Sequence, residues 1–372
     1  MLSKSHLNVL QERVKDKDWV WLNRDIVHLL EGRGKRKIGV INFDVAALKY
    51  WDNLGRIKLF IVGHSIKKLK EYPKLLLMVR NEALPNYRWK EIVDFILEIT
   101  GKNIEDIMVV DAGYTTDGSY PHIGTNPFVI NPVLDLTSVV RALTPISQRK
   151  TFYNSLSRNP KNFRLLFTLE LVKRDLLNLG CVSFGVSDDY GDELYKELIP
   201  AEYTHLFPMY ADGIVKRNQY VVTYPPEAID SIVKVVLEST YDDSIIPGTK
   251  CTNYCGGIFS DRVFLTEKTF FAFQSYQIPL FVTVKGHVQA VRDHGFDVFD
   301  DIVDHSYDLE PNPGNRIKMV AEELERLLKN KDSIMSVTNL NERLKKNNQH
   351  RQIVQEQIGK NLKEKLTEWF NQ

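Results

Sequence analysis

The triplet Thr266-Glu267-Lys268 sits inside "FLTEKTFFAFQSYQIPLFV" (Phe264 to Val282), where an apolar run gives way to helical spacing. A threonine ahead of a helix can cap it, because its hydroxyl accepts from free backbone N–H groups. Glu267 in the first turn suits the helix dipole, whereas the Lys268 cation is disfavoured there unless an anion lies close by. A phosphate at the helix mouth resolves that conflict, since it accepts from the free amides and from the ammonium. Glu267 would then accept from ribose hydroxyls. The plainer alternative is a solvated helix start carrying two surface charges. A second cluster, "NSLSRNPKNFR", sets Arg158, Lys161 and Arg164 in a turn and the first turn of the helix that follows. Cations at a helix mouth can cradle a diphosphate. Arg164 is the most telling of them, because Phe163, Leu165 and Leu166 around it are apolar; an exposed basic loop is the alternative.

Proton transfer needs a further group. Asp111 and Asp117 follow the apolar run "IMVVDAG", and a carboxylate at a strand end could take the proton of an acceptor hydroxyl. Asp is also an ordinary turn residue, and His122 in "SYPHIG" is a rival base. Glu238, closing "KVVLEST", is a strand-end acid that could bind sugar hydroxyls. Asp304, His305 and Asp308 could meet on one helical turn around a metal, but simple solvated charge is the reading preferred for "DDIVDHSYD". Cys251 and Cys255 lack the second cysteine pair or nearby histidine of a zinc set. The chain has no P-loop, dinucleotide fingerprint, nucleophile elbow or H-E-x-x-H motif, which weighs against ATPase, dehydrogenase and hydrolase readings.

The elements that must carry these residues read as α/β. Lys37 to Phe43, Lys58 to Gly63, Lys74 to Arg80 and Ile104 to Gly113 are continuous apolar runs, as expected of parallel strands buried on both faces. Asn86 to Gly101 has helical spacing and ends on a glycine. Thr115 to Pro145 is rich in Gly, Pro, Thr and Ser and reads as a loop or linker. A second set follows: a strand over Lys150 to Leu156, a helix from an N-cap at Asn162 to a C-cap at Gly180, a short strand "CVSFG", and a strand within Ile229 to Thr240. After the Thr266 helix and its strand come a helix over "KGHVQAVRDHG" and an almost wholly helical tail, with Ile353, Ile358, Leu362 and Leu366 at helical spacing.

The chain has 372 residues, enough for two domains, with net charge +1 and hydrophobic residues at 43%. That balance supplies no global field toward nucleic acid or membrane, although "EGRGKRK" (Glu31 to Lys37) could form a local phosphate contact. An odd, low count of three cysteines fits a reducing compartment. No apolar run reaches the roughly 18 residues of a membrane span, and the N-terminus lacks a secretory signal. The sequence therefore predicts a cytoplasmic protein.

"FLTEKTFFAFQSYQIPLFV", the trailing "GF-x-x-F" segment and "FYNSLSRNPKNFRLLFTLELVKRDLL" together resemble phage and bacterial glycosyltransferase-like proteins related to the α-1,3-fucosyltransferase family. The resemblance covers roughly Lys150 to Asp308. It implies a GT-B architecture, in which two Rossmann-like domains face a cleft. It also implies an inverting, metal-independent transfer from a nucleotide diphosphate sugar, with Arg164 and Lys268 on the diphosphate and Glu267 on the ribose. The fucosyltransferase motif has an asparagine-serine pair upstream where this chain has "CGGIFSDRVF", so the donor is left as UDP or GDP type. The expected organisation is an acceptor-side domain over 1–147, a nucleotide-sugar domain over 148–330, and C-terminal helices over 331–372 packing back across the domains. Asp111 or Asp117 would be the base. Arg158, Lys161, Arg164, Glu238, Thr266, Glu267 and Lys268 would hold the donor. The acceptor would be a glycan, a small molecule or a hydroxylated DNA base, and the rival reading is a non-catalytic binding module on a degenerate transferase fold.

Overall fold

The computed structural model of the chain describes residues 38–43, 61, 66–79, 86–111, 113, 118–124, 144–157, 161–185, 199–207, 209, 226–238 and 263–372. They divide into two compact units, one of Met1–Asn131 with Glu356–Gln372, the other of Pro132–Gln355. Both are mixed α/β with a parallel sheet, as the continuous apolar strands require.

In the first unit, strands β1 (Ile38–Phe43), β2 (Lys74–Val79), β3 (Ile107–Asp111) and β4 (His122–Gly124) pair in parallel in that order. A sheet wound in one direction through right-handed crossovers keeps its connecting helices on one face. Accordingly helices α1 (Ile66–Glu71) and α2 (Asn86–Thr100) place Leu69, Trp89, Ile92, Val93 and Ile96 against Leu75, Leu77, Ile107 and Val109. The alternate residues Leu76, Met78, Met108, Val110 and Ile123 point to the other face. Leu362, Leu366 and Trp369 from the last helix, α7 (Leu340–Asn371), cover that second face. Its end is tied down by Trp369 Nε1 donating to the Glu105 carbonyl at 2.7 Å. Gly101 takes φ +69 and donates to the Leu97 carbonyl, so it ends α2 as its position predicted.

Three sequence expectations are corrected in detail. Ile61, the one described residue of Lys58 to Gly63, is helical rather than extended; a short apolar run does not separate a strand from a buried helix. The Gly/Pro-rich stretch after Thr115 holds a short strand, β4, supported by the register Val109↔His122. The third correction is to the helix expected over Asn162 to Gly180. It stops at Lys173, near Asp175 with its positive φ, and Lys161 rather than Asn162 is the N-cap. Gly180 instead begins a strand, where a Cβ would lie 2.4 Å from the Tyr153 ring. That glycine serves close packing, not helix termination.

In the second unit the sheet order is β6 (Gly180–Phe184), β5 (Tyr153–Ser157), β7 (Val233–Leu237), β8 (Ile278–Val282), all parallel. The chain leaves β5 toward β6, then returns to the other side of β5 for β7 and β8. Crossovers of one hand running in opposite directions put their helices on opposite faces. Helix α3 (Asn162–Lys173) lies on the Tyr153 face, where Tyr153 Oη donates to the Leu176 carbonyl at 2.7 Å. Helix α4 (Glu267–Gln274) lies on the Lys234 face, with the Lys234 ammonium 4.9 Å from the Phe271 ring centroid. Helix α5 (His287–Asp293) follows β8, and α6 (Pro313–Lys329) packs on α3, where Arg174 pairs with Glu322 and Glu325 at 2.9 Å each.

Trp369→Ala should destabilise the first unit by about 3–5 kcal/mol, the range for removing a large buried aromatic side chain. A urea transition followed by a probe in that unit should fall to lower midpoint; an unchanged midpoint would show that the sheet face does not depend on this side chain.

Candidate functional site

Ligands of open parallel sheets bind beyond the carboxyl ends of the strands, where the winding direction reverses. In the second unit that point lies between β5 and β7. Glu238, the residue after β7, is fully buried there. Its Oε1 accepts from the Thr266 backbone N–H at 3.1 Å and from Thr269 Oγ1 at 2.6 Å, and its Oε2 accepts from Thr266 Oγ1 at 2.6 Å. Thr266 is the N-cap of α4, its hydroxyl oxygen accepting from the Lys268 backbone N–H at 3.2 Å. The same oxygen lies 3.4 Å from Lys268 Nζ, on a partly buried side chain.

Arg164 comes to this point from the other face. It sits in the first turn of α3, is 4% exposed, and its Nη2 donates to the carbonyls of Leu237 at 3.1 Å and Glu238 at 2.6 Å. The two predicted anion-binding helix mouths are therefore joined through one residue: Arg164 binds the Glu238 backbone, and Thr266 binds its carboxylate. Lys161, the N-cap of α3, is partly buried. Beside it, Asn162 Oδ1 is buried and has no hydrogen-bond partner among the described residues. Arg158, Asp117 and the side chain of Glu267 lie outside the described residues, as do Glu31 to Lys37, Cys251 and Cys255.

Glu238 has a different position from the one its place in the sequence suggested. Its carboxylate turns inward onto α4 and acts as a resident anion at that helix start. Asp111, at the end of β3 in the first unit, is likewise fully buried. Its Oδ2 accepts from Trp89 Nε1 at 2.5 Å; its Oδ1 accepts from the Gly113 N–H at 3.0 Å and lies 2.8 Å from His122 Nε2. The two residues weighed as alternative bases thus form one carboxylate–imidazole pair. The acidic stretch expected to be solvated is only partly so. Asp308 is buried and accepts from the Val288 and Gln289 N–H groups at 3.1 and 3.3 Å, anchoring α5. His305 is buried between the Val298 carbonyl and Tyr307 Oη, and burial holds its imidazole below its ordinary pKa. Among the described residues no group of three or more His, Cys, Asp or Glu side chains could hold a metal ion.

Sequence reading missed three residues at this site. Thr269 and His287 bond each other beside Glu238, and nothing local distinguishes them from other helix-start residues. The third, Lys234, does leave a trace: it is the one cation in the otherwise apolar strand "VKVVL". Its ammonium is buried and donates to Asn154 Oδ1 at 3.1 Å. Burial pulls its pKa down from 10.5 to about 7; the neighbouring Cys181 opposes that shift and the positive charge of Lys268 adds to it.

Comparison of the chain with protein-family models, with curated proteins and with solved structures finds no match. The geometry itself defines an α/β protein with cations gathered at a strand-switch point. No helix among the described residues is long and apolar enough to cross a membrane.

Two outcomes follow from these contacts. Glu238→Ala strips the acceptor from three buried donors and should cost about 3 kcal/mol or more, whereas Lys268→Ala should change folding stability by no more than about 0.5 kcal/mol; paired urea titrations measure both. For Lys234, the unfolded chain holds a proton that the folded chain lacks between about pH 7 and 10.5, so native stability rises with pH across that window. Stability of Lys234→Met relative to wild type should therefore be highest at and below pH 7 and should decline toward pH 10.5. A difference independent of pH would place the folded-state pKa elsewhere.

Proposed function

We propose that the chain is a glycosyltransferase of GT-B type, moving a sugar from a nucleotide diphosphate sugar to an acceptor hydroxyl with inversion. The observation that carries this reading is the linkage of Arg164, Glu238, Thr266 and Lys268 at the carboxyl end of β7. It joins two helix mouths, each with a cation, at the switch point of a parallel sheet. A diphosphate there would accept from amides at the start of α4 and from the Lys268 ammonium, with Lys161 at the neighbouring mouth; Arg158 is proposed from the sequence as a further donor ligand. Asn162 Oδ1, buried and without a hydrogen-bond partner among the described residues, is an acceptor suited to a ligand hydroxyl. As the glycosidic C–O bond of the donor breaks, negative charge builds on the leaving diphosphate, and fixed cations stabilise it without reorganisation. The acceptor oxygen forms the new bond to the anomeric carbon and gives up its proton. Asp111 and Asp117 are the acids proposed to take that proton, Asp111 through the His122 imidazole that it holds.

One observation favours a second reading. Arg164 and Glu238 are buried and bonded to the protein frame, as they would be in a non-catalytic module that keeps the sheet architecture and has lost the ligand. A thermal-shift screen of UDP, GDP, CDP and ADP sugars separates the two. The transferase reading expects stabilisation by one nucleotide series and at least about a tenfold weaker affinity, about 1.4 kcal/mol, in Lys268→Ala. A flat response across every series supports the module. For the series that binds, product analysis with glycan, small-molecule and hydroxymethylated DNA acceptors then assigns the acceptor class.

A further inference from the structure

Glu238 is held by more than the capping threonine, and the additional contacts have a fixed direction. Thr269 Oγ1 lies 2.6 Å from Glu238 Oε1 and 3.0 Å from His287 Nε2. A threonine hydroxyl has one hydrogen. The carboxylate can only accept, so that hydrogen points to Glu238, and the bond from His287 must be donated by Nε2–H. On the other side of the ring, Nδ1 lies 3.2 Å from Thr283 Oγ1. Thr283 can donate to Nδ1 when the ring is neutral. Full burial favours that state by holding the imidazole below its ordinary pKa, although the carboxylates of Glu238 and Asp308 pull the other way. At the far end, Thr266 gives its single hydrogen to Glu238 Oε2 and accepts from the Lys268 N–H.

We infer that Thr269 and His287 are positioning residues for the anion site of α4, through a one-directional chain running Thr283 to His287 to Thr269 to Glu238. Thr266 meets the same carboxylate from the other side. The inference rests on the nucleotide-binding reading only for what the site holds. The chain links the end of β8, the start of α5, the first turn of α4 and the end of β7. Each link admits one donor and one acceptor. Both carboxylate oxygens are thereby aimed at α4, which fixes the Thr266 cap and the turn that presents Lys268. Hydrophobic packing of Phe270, Phe271 and Phe273 holds α4 against the sheet, but packing does not fix the rotation of a carboxylate. Without the Thr269 hydroxyl, His287 Nε2–H and Glu238 Oε1 each lose this partner, and the orientation of the carboxylate rests more heavily on its contacts with Thr266.

The first test needs no ligand. A proton–nitrogen correlation spectrum of the imidazoles should show His287 as the Nε2–H tautomer with unprotonated Nδ1; the Nδ1–H tautomer overturns the chain. Titration calorimetry with UDP and GDP then compares variants whose folding is checked by urea titration. Thr269→Val and His287→Leu should bind about tenfold or more weakly, the effect of losing a hydrogen bond to a charged group. Thr269→Ser and His287→Gln, which keep the hydroxyl and the distal N–H, should stay within about threefold of wild type. Equal affinity in Thr269→Val and wild type, or equal loss in the Ser and Val variants, overturns the positioning role and leaves the donor reading standing. If the wild-type chain binds neither nucleotide, the donor reading falls alone. Amide exchange at Lys268 then decides the chain: about tenfold faster in Thr269→Val but not in Thr269→Ser is expected, and unchanged exchange in both rejects it.

Discussion

A carboxylate with no exposure to water has to be met by donors, because leaving it unpaired inside the protein costs several kcal/mol. Glu238 is such a group, and satisfying it organises the second unit. Its donors come from residues 28 and 31 positions later in the chain, and its own carbonyl is bound by Arg164, 74 positions earlier. One residue at the end of a strand thus fixes the starts of two helices on opposite faces of the sheet. The helices could pack on the sheet through apolar contacts alone. Their register along it, and hence where Lys161, Arg164 and Lys268 stand, is set by these polar contacts.

The two sheets reach a buried core by different routes, and the difference follows from winding direction. The second unit reverses between β5 and β7, so its own crossovers supply helices to both faces. The first unit runs β1 to β4 in one sense, so α1 and α2 share a face and the other needs cover from elsewhere. Leu362, Leu366 and Trp369 meet that need from the far end of the chain. The same logic explains why, among the described residues, the switch point lies in the second unit: a sheet wound in one direction has no place where two strand ends diverge.

Much of this frame is legible in the sequence because it rests on local signals. Strands β1, β2, β3 and β8 coincide with largely continuous apolar runs, Gly101 ends its helix, and Thr266 caps its own, each through chemistry confined to a few neighbouring residues. Where the determinant is distant, legibility fails. Gly180 sits where a helix end was expected, but its role is set by the Tyr153 ring on a neighbouring strand. At the site, the helix mouths and their cations were readable, whereas the inward turn of Glu238 and the part played by Thr269 and His287 were not. No residue beside Glu238 in the sequence shows which way its carboxylate turns, because its partners come from a helix reached only after a long connection. Asp111 and His122 show the same thing at shorter range. They are eleven positions apart and were weighed as rivals; the parallel pairing of β3 and β4 makes them partners.

The charge around β7 gives the site its direction. Lys268 and Lys234 are both cations on the α4 side of the sheet, and the positive charge of Lys268 helps to depress the Lys234 pKa. Two cations crowded on one side of a sheet repel, and a low-dielectric surrounding strengthens the repulsion. Glu238 offsets part of it from below, at the level of the strand end. Burial is the main cause of the low Lys234 pKa and the positive charge of Lys268 adds to it, so an anion bound at the mouth of α4 would offset only the smaller of the two effects.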